Sequence, residues 1–297
     1  MYKGKHIRRR GLWIALTWAL ILLVVVLISI PFIEPYRLET EIVQLTSSDL
    51  SQGPKALRVV FVSDFDQGGW PYLTQGRANS IITQVNSLNP DLLLLGGDYA
   101  ANPEGTVAFF ENLPRINAGH VFAVLGETDR ASQEQIDSLR EALKERNVTL
   151  LVNEVASVNY GDGGIIKIAG IDEPINGQPD LNAIAKQVKT SDYVILLGHN
   201  PSVIEDATRA SDQNGRQDWF DLALFGHTHG NQFFGSFNPL GIATDVVTSS
   251  HRKGWVREVH DTPILISRGV GTSKLPVRLG CMPQIHCIDI KSTQSTP

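Results

Sequence analysis

Leu222-Ala-Leu-Phe-Gly-His-Thr-His-Gly-Asn-Gln232 carries an apolar, strand-like run directly into a glycine-flanked turn with two histidines. Side chains two apart on an extended backbone point the same way, so His227 and His229 can close on a single site. The glycines on either side let backbone or ligand come near. Imidazoles held in this way suit zinc, manganese or iron. Two histidines do not complete a metal site, so the remaining ligands must come from elsewhere in the chain.

They are expected at the ends of other strands. Leu57-Arg-Val-Val-Phe-Val-Ser63 runs into Asp64-Phe-Asp66, and Leu92 to Leu95 into Gly96-Gly-Asp98. Val121 to Leu125 ends in Gly126-Glu-Thr-Asp129, and Tyr193 to Leu197 in Gly198-His199. Ligands in α/β sheets bind beyond the carboxyl ends of strands, so five such endings can converge on one rim. Between them the periodicity predicts helices over 77–88, 107–113 and 181–189, and another over 132–146 that opens on a Ser132-Gln-Glu-Gln135 capping box. Further strands are expected at 37–45, 263–267 and 284–290, with a hairpin inside 150–171 that turns at Gly161-Asp-Gly-Gly164. Strands alternating with helices imply a layered α/β architecture. The polar stretch Thr208 to Gln217 is expected as a surface loop beside the site.

The order of these motifs resembles the calcineurin-like metallophosphoesterases, whose motifs run Asp-x-His, Gly-Asp, Gly-Asn-His-Asp, a lone His and Gly-His-x-His. The resemblance covers roughly residues 36–290. It looks closest to the membrane-anchored bacterial subgroup through Asn89-Pro-Asp-Leu-Leu-Leu-Leu-Gly-Gly-Asp98, Ile168-Ala-Gly-Ile-Asp-Glu-Pro174 and Ser267-Arg-Gly-Val-Gly-Thr-Ser-Lys-Leu-Pro-Val-Arg278. It implies a metallophosphoesterase-type β-sandwich flanked by helices. It also implies two divalent metal ions, with Asp64 and His229 on one, His199 and His227 on the other, and Asp98 bridging. Such a pair clamps a phosphoryl group and supplies a hydroxide nucleophile.

Three positions depart from the family pattern. Asp66 stands where the family has His, and Glu127 where it has Asn; both can still bind a metal. Together they add negative charge that favours Mn²⁺ or Mg²⁺ over a histidine-rich zinc preference, with iron as a further candidate. Thr128 replaces the histidine that protonates or orients the leaving group, and threonine is no acid near neutral pH. Losing a general acid typically costs about 10²–10⁴-fold in rate, less when the leaving group is good. Asp129 matches the family's acidic residue after that histidine but lacks its usual partner. His251 could substitute from a loop, although a surface histidine is the simpler reading. His120 and His286 read as structural.

The chain's 297 residues carry a net charge of −5. Lys3, Lys5, Arg8, Arg9 and Arg10 lie in the first ten residues, which leaves 21 basic against 31 acidic residues beyond them, or −10. A body that acidic offers no broad basic face to nucleic acid. Leu12 to Ile33 is an almost unbroken apolar run of 22 residues, where about 20 suffice to cross a bilayer. It has no Ala-x-Ala cleavage site, so an uncleaved anchor is expected rather than a signal peptide. The basic residues 1–11 should stay cytoplasmic, which puts the domain over 36–297 outside the cell membrane on a single span. Cys281 and Cys287, the two cysteines, give no disulfide framework.

Two functions follow from different classes. One is a metal-dependent phosphoesterase acting on a phosphomonoester, phosphodiester or pyrophosphate of a small molecule or a lipid-linked substrate. The other is a catalytically weak relative whose metal site is structural or ligand-binding. Carboxylates at both altered ligand positions favour a retuned site; Thr128 favours the second reading.

Overall fold

The computed structural model describes residues 3–51, 55–130, 132–161, 164–189, 191–232, 253–257 and 261–293, with the side chains of 3–9 left aside. After a long N-terminal helix, α1 (Lys3–Ile33), the chain builds two six-stranded sheets. In the first, β1 (Glu39–Ser47) pairs parallel with β12 (Gln284–Ser292), which runs antiparallel to β2 (Leu57–Val62). The parallel strands β3 (Leu92–Leu95), β4 (His120–Ala123) and β5 (Thr149–Leu150) follow. In the second sheet, the hairpin of β6 (Glu154–Tyr160) and β7 (Gly164–Gly170) leads to parallel β8 (Tyr193–Leu197), β9 (Leu222–Phe225) and β11 (Pro263–Ile266). The antiparallel edge strand β10 (Gly254–Arg257) closes that sheet.

Strand alternation sorts the core into three layers. Val59 and Phe61 of β2, Leu92 and Leu94 of β3, and Ile195 and Leu197 of β8 pack between the sheets with Leu222 and Leu224 of β9. The intervening Val60, Val62, Leu93 and Leu95 face outwards. There they meet α2 (Gln75–Ser87), α3 (Pro103–Glu111) and α4 (Gln133–Glu145) through Ile82, Phe109 and Leu139. On the far side, Val194, Leu196, Ala223 and Phe225 are covered by α5 (Leu181–Ala185) and α6 (Ile204–Arg209). Strands buried on both faces explain the unbroken apolar runs Leu92–Leu95 and Leu222–Phe225. The fold is therefore α/β, two sheets flanked by helices, as expected.

The capping box at Ser132 and Gln135 forms at the start of α4. Helix α1 reaches back from the apolar run into the basic segment, and its stretch from Arg10 is long and apolar enough to cross a membrane. One strand falls outside the expected set, and one expectation needs correction. Strand β10 was not foreseen, and Thr208–Gln217 does not lie beside the site. That stretch begins in the last turn of α6 and leads towards the amino end of β9, whereas the histidine turn follows its carboxyl end. Gly161 and Gly164 flank the expected hairpin turn, whose middle two residues lie outside the described residues, as does His251.

Candidate metal centre

Each of the five strand endings arrives at the carboxyl edge of its sheet, and the two edges meet. The first sheet delivers Asp64, Asp66, Asp98 and Glu127; the second delivers His199, His227 and His229. All are buried except Asp66 and Glu127, which are partly buried. The backbone is bent to achieve this. Asp64, Asp66, Asp98, His227 and His229 all have positive φ, between 45° and 69°. That region costs a non-glycine residue on the order of 1 kcal/mol, and such residues cluster at functional sites. Two glycines allow the turns to interlock. A Cβ on Gly126 would lie 2.2 Å from Asp98 Oδ1, and one on Gly226 would lie 2.6 Å from Asp64 Oδ2.

His199 links the two halves. Its Nδ1 lies 2.7 Å from the Gly96 carbonyl, which can only accept a hydrogen bond, so Nδ1 carries the proton. That fixes the tautomer and turns Nε2 towards the acids, 2.8 Å from Glu127 Oε2 and 3.2 Å from Asp98 Oδ2. The same Glu127 oxygen lies 3.0 Å from His227 Nδ1. Across the site, His229 Nε2 is 3.2 Å from Asp66 Oδ2 and 3.7 Å from Asp64 Oδ1. Asp64 itself is held by the His227 amide (2.7 Å) and the Ser63 hydroxyl (2.5 Å).

The electrostatics reflect this crowding. Burial raises the Asp66 carboxyl to about 6; His229 opposes the shift, and Asp98 and Asp64 reinforce it. Burial alone would also raise Glu127, but His199 and then His227 hold it well below the usual carboxylate range. Burial would lower His199, yet Asp98 and Glu127 raise it well above the ordinary imidazole value. His229 is raised in the same way by Asp66 and Asp64.

These residues suit divalent cations. His199 Nε2, His227 Nε2 and Asp66 Oδ2 are buried without an aligned hydrogen bond, even though carboxylate or imidazole atoms lie within contact distance of two of them. Buried polar atoms are normally satisfied, and a cation at the crowded point would satisfy these. The ligand atoms of Glu127, His199 and His227 lie within 4.8 Å of one another, as do those of Asp64, Asp98 and His199. Oxygen and nitrogen donors in a carboxylate-rich set match hard to borderline ions.

Thr128 and Asp129 are committed elsewhere. The Thr128 hydroxyl donates to Asp98 Oδ1 at 2.8 Å, and its amide reaches the same oxygen at 3.0 Å. Asp129 accepts from the amides of Asp98 (2.7 Å), Gly126 (3.0 Å) and Tyr99 (3.1 Å) and from the Thr106 hydroxyl (2.7 Å). Its carboxylate thus clamps the Asp98 turn rather than pairing with an imidazole. His120 is exposed at the start of its strand, while His286 is buried between Glu41 and Ser267. Cys281 and Cys287 are buried free thiols.

Arg278 lies beside this cluster, although it has no place among the candidate site residues read from the sequence. It is fully buried, its guanidinium donates to the Gly271 and Arg268 carbonyls at 2.6 and 2.7 Å, and it lies 3.5 Å from His229 Nδ1. Its carbonyl partners lie seven and ten residues back in an irregular loop, which gives no periodic pattern to read.

Comparison with known proteins identifies the family. The family model described as calcineurin-like phosphoesterase matches residues 57–231, more than half of the chain. The Bacillus subtilis protein YpbG is 29% identical over 242 residues, covering 80% of this chain and 83% of that one. The metallophosphoesterase YkuE of the same organism is 26% identical over 269 residues and 88% of each chain. A Danio rerio transmembrane protein with a metallophosphoesterase domain is 27% identical over 269 residues, 84% of this chain and 56% of that one. With the motif order, the double sheet and the converging ligands in agreement, the chain belongs to the calcineurin-like phosphoesterase family and is a metal-dependent phosphohydrolase.

Proposed function

We propose that the protein is a single-pass, membrane-anchored phosphoesterase that uses two divalent ions, with Mn²⁺ the best match. It would hydrolyse a phosphomonoester, phosphodiester or pyrophosphate outside the cytoplasm. The observation that carries this reading is the seam itself, where four carboxylates from one sheet oppose three imidazoles from the other around His199. On this reading Asp64, Asp66 and His229 would hold one ion, Glu127, His199 and His227 would hold the other, and Asp98 would serve both. Bound there, the ions supply Lewis-acid charge to a phosphoryl group and acidify water.

The chain's own residues do the positioning. Thr128 occupies Asp98 Oδ1, leaving Oδ2 to face His199. Asp98 would therefore be held in place by Thr128 while presenting Oδ2 to the ions. Asp129 holds the amides of Asp98 and Tyr99 and so fixes the height of that turn. With its hydroxyl committed to Asp98, Thr128 offers no proton to a leaving group, so esters of acidic alcohols, phenols and phosphates should turn over best. The same observation favours a second reading, a slow enzyme or a metal-dependent binder.

The apolar run, the basic residues before it and the transmembrane relative support the anchor, and the positive-inside rule supports its orientation. To test the proposal, the full chain is purified in detergent, stripped with chelator, reloaded with Mn²⁺ and assayed on aryl phosphate mono- and diesters. Restoration of turnover by metal supports the enzyme. Metal uptake without turnover on any ester or pyrophosphate supports the binder.

A further inference from the structure

The apolar helix and the metal centre are joined through one short loop. The Arg278 amide donates to the Pro31 carbonyl at 2.9 Å, inside the last turn of the apolar run. Three residues on, buried Glu34 accepts the Gly280 and Cys281 amides at 3.0 and 2.6 Å. Cys281 Sγ contacts the His229 carbonyl at 3.2 Å, and Arg278 lies against the His229 ring. Only Arg278 and Cys281 therefore separate the end of the helix from a residue of the metal centre.

The segment leading into this loop carries exposed Lys274 and Leu275, the latter 41% exposed. Tyr72 donates to the Lys274 carbonyl at 3.0 Å, which ties this segment to the loop after Asp66. That loop presents Trp70, 83% exposed and more so than any large apolar side chain described in α1. Lys274 is four residues from Arg278, a reach of at most about 14 Å, and Arg278 is already level with Pro31. If residues 12–33 cross the bilayer, the Trp70–Tyr72 and Lys274–Leu275 tips lie near the depth where the helix leaves it. Tryptophan and tyrosine favour that layer, having an apolar body and a polar edge, and lysine can keep its ammonium among headgroups.

From this continuity we infer that the two tips form a collar that dips into the bilayer surface beside the anchor and sets the metal centre at headgroup level. The partner is the membrane in which the helix sits, and the favoured substrate is a phosphate ester carried by a lipid in that membrane. This inference rests on the proposed anchor.

The full chain, reconstituted into phosphatidylcholine–phosphatidylglycerol vesicles, tests it by fluorescence. Subtracting the spectrum of Trp70→Phe isolates Trp70. Blue-shifted emission, quenching by lipids brominated high on the acyl chain and shielding from aqueous iodide are the expected result. Emission quenched by iodide but not by bromolipid, in protein that resists alkaline extraction, overturns the collar and leaves the anchor standing. Release by alkaline extraction overturns the anchor, and the collar with it. A second measurement compares hexadecyl nitrophenyl phosphate in the vesicles with soluble bis(nitrophenyl) phosphate. Trp70→Ser with Leu275→Ser should lower the vesicle rate about tenfold, the scale of one buried apolar side chain, and leave the soluble rate unchanged. Equal loss on both substrates, or on neither, contradicts the collar.

Discussion

The two sheets contribute unlike chemistry to one seam. Among the described residues, each candidate ligand from the first sheet is a carboxylate (Asp64, Asp66, Asp98 and Glu127), and each from the second is an imidazole (His199, His227 and His229). The three departures that the sequence resemblance implies all follow strands of the first sheet, at 66, 127 and 128. They leave its half without a histidine, while the second half keeps all three. On the proposed reading, carboxylates at both altered ligand positions would shift the charge of the site without removing a ligand.

The largest break in this asymmetry comes from removing a group at its centre. His199→Ala takes away the side chain that faces both Glu127 and Asp98. The charge a metal lends a transition state is worth several kcal/mol, so metal-dependent turnover should fall by about a thousandfold or more. A fall of less than tenfold in kcat/KM would mean that the two halves do not share a centre.

Restoring the missing acid should act in the opposite direction. Thr128→His is expected to raise the rate on alkyl phosphate esters by about a hundredfold and that on nitrophenyl esters by much less. Equal gains on both would contradict the missing-acid account. Thr128→Val separates the hydroxyl's other duty. Losing the hydrogen bond to Asp98 should weaken Mn²⁺ binding by about tenfold or more, the scale of second-shell losses at metal sites, as read by calorimetry.

Reversing the charge bias gives a smaller and more selective effect. Asp66→His with Glu127→Asn makes the first half resemble the family pattern. Its metal preference should move from Mn²⁺ towards Zn²⁺ in competition assays; unchanged preference would show that the carboxylates do not set it.

The mildest test uses pH on metal-stripped protein. Asp66 is raised from 3.8 to about 6, and His199 and His229 are raised above 6.5. A group whose folded pKa is raised contributes stability that is complete below its unfolded value and is lost as pH rises through the folded one. The apparent Tm should therefore decline as pH rises from about 4.5 through 6 and onwards past 6.5. Glu127, held low, acts in the opposite sense, and its contribution is lost only as pH falls below its ordinary 4.5. Added Mn²⁺ should recover most stability at the high end, where fewer protons compete for the ligands. A Tm rising with pH across this window would contradict the pairing of acids and imidazoles.

Much of this architecture was legible because it rests on local chemistry. Strands buried on both faces must be apolar throughout, so Leu92–Leu95 and Leu222–Phe225 announce themselves, and a polar ending marks the edge where each stops. The Ser132 capping box is likewise local. What stayed hidden depends on partners far along the chain. Gly254–Arg257 becomes a strand only because Pro263–Ile266 offers it an edge. The bond from Thr128 to Asp98 spans 30 residues, and Glu34 finds its partners 246 and 247 residues away. A motif shows which residue is missing at 128 but not what the replacement holds.

The most direct test of the shared centre is bound metal and turnover measured together on the full chain, wild type against Asp98→Asn. The account predicts that the wild type retains divalent metal and hydrolyses an aryl phosphodiester, and that the variant, which keeps the fold but loses the charge between the two halves, loses both. An Asp98→Asn protein that still binds metal and turns over at the wild-type rate would contradict it.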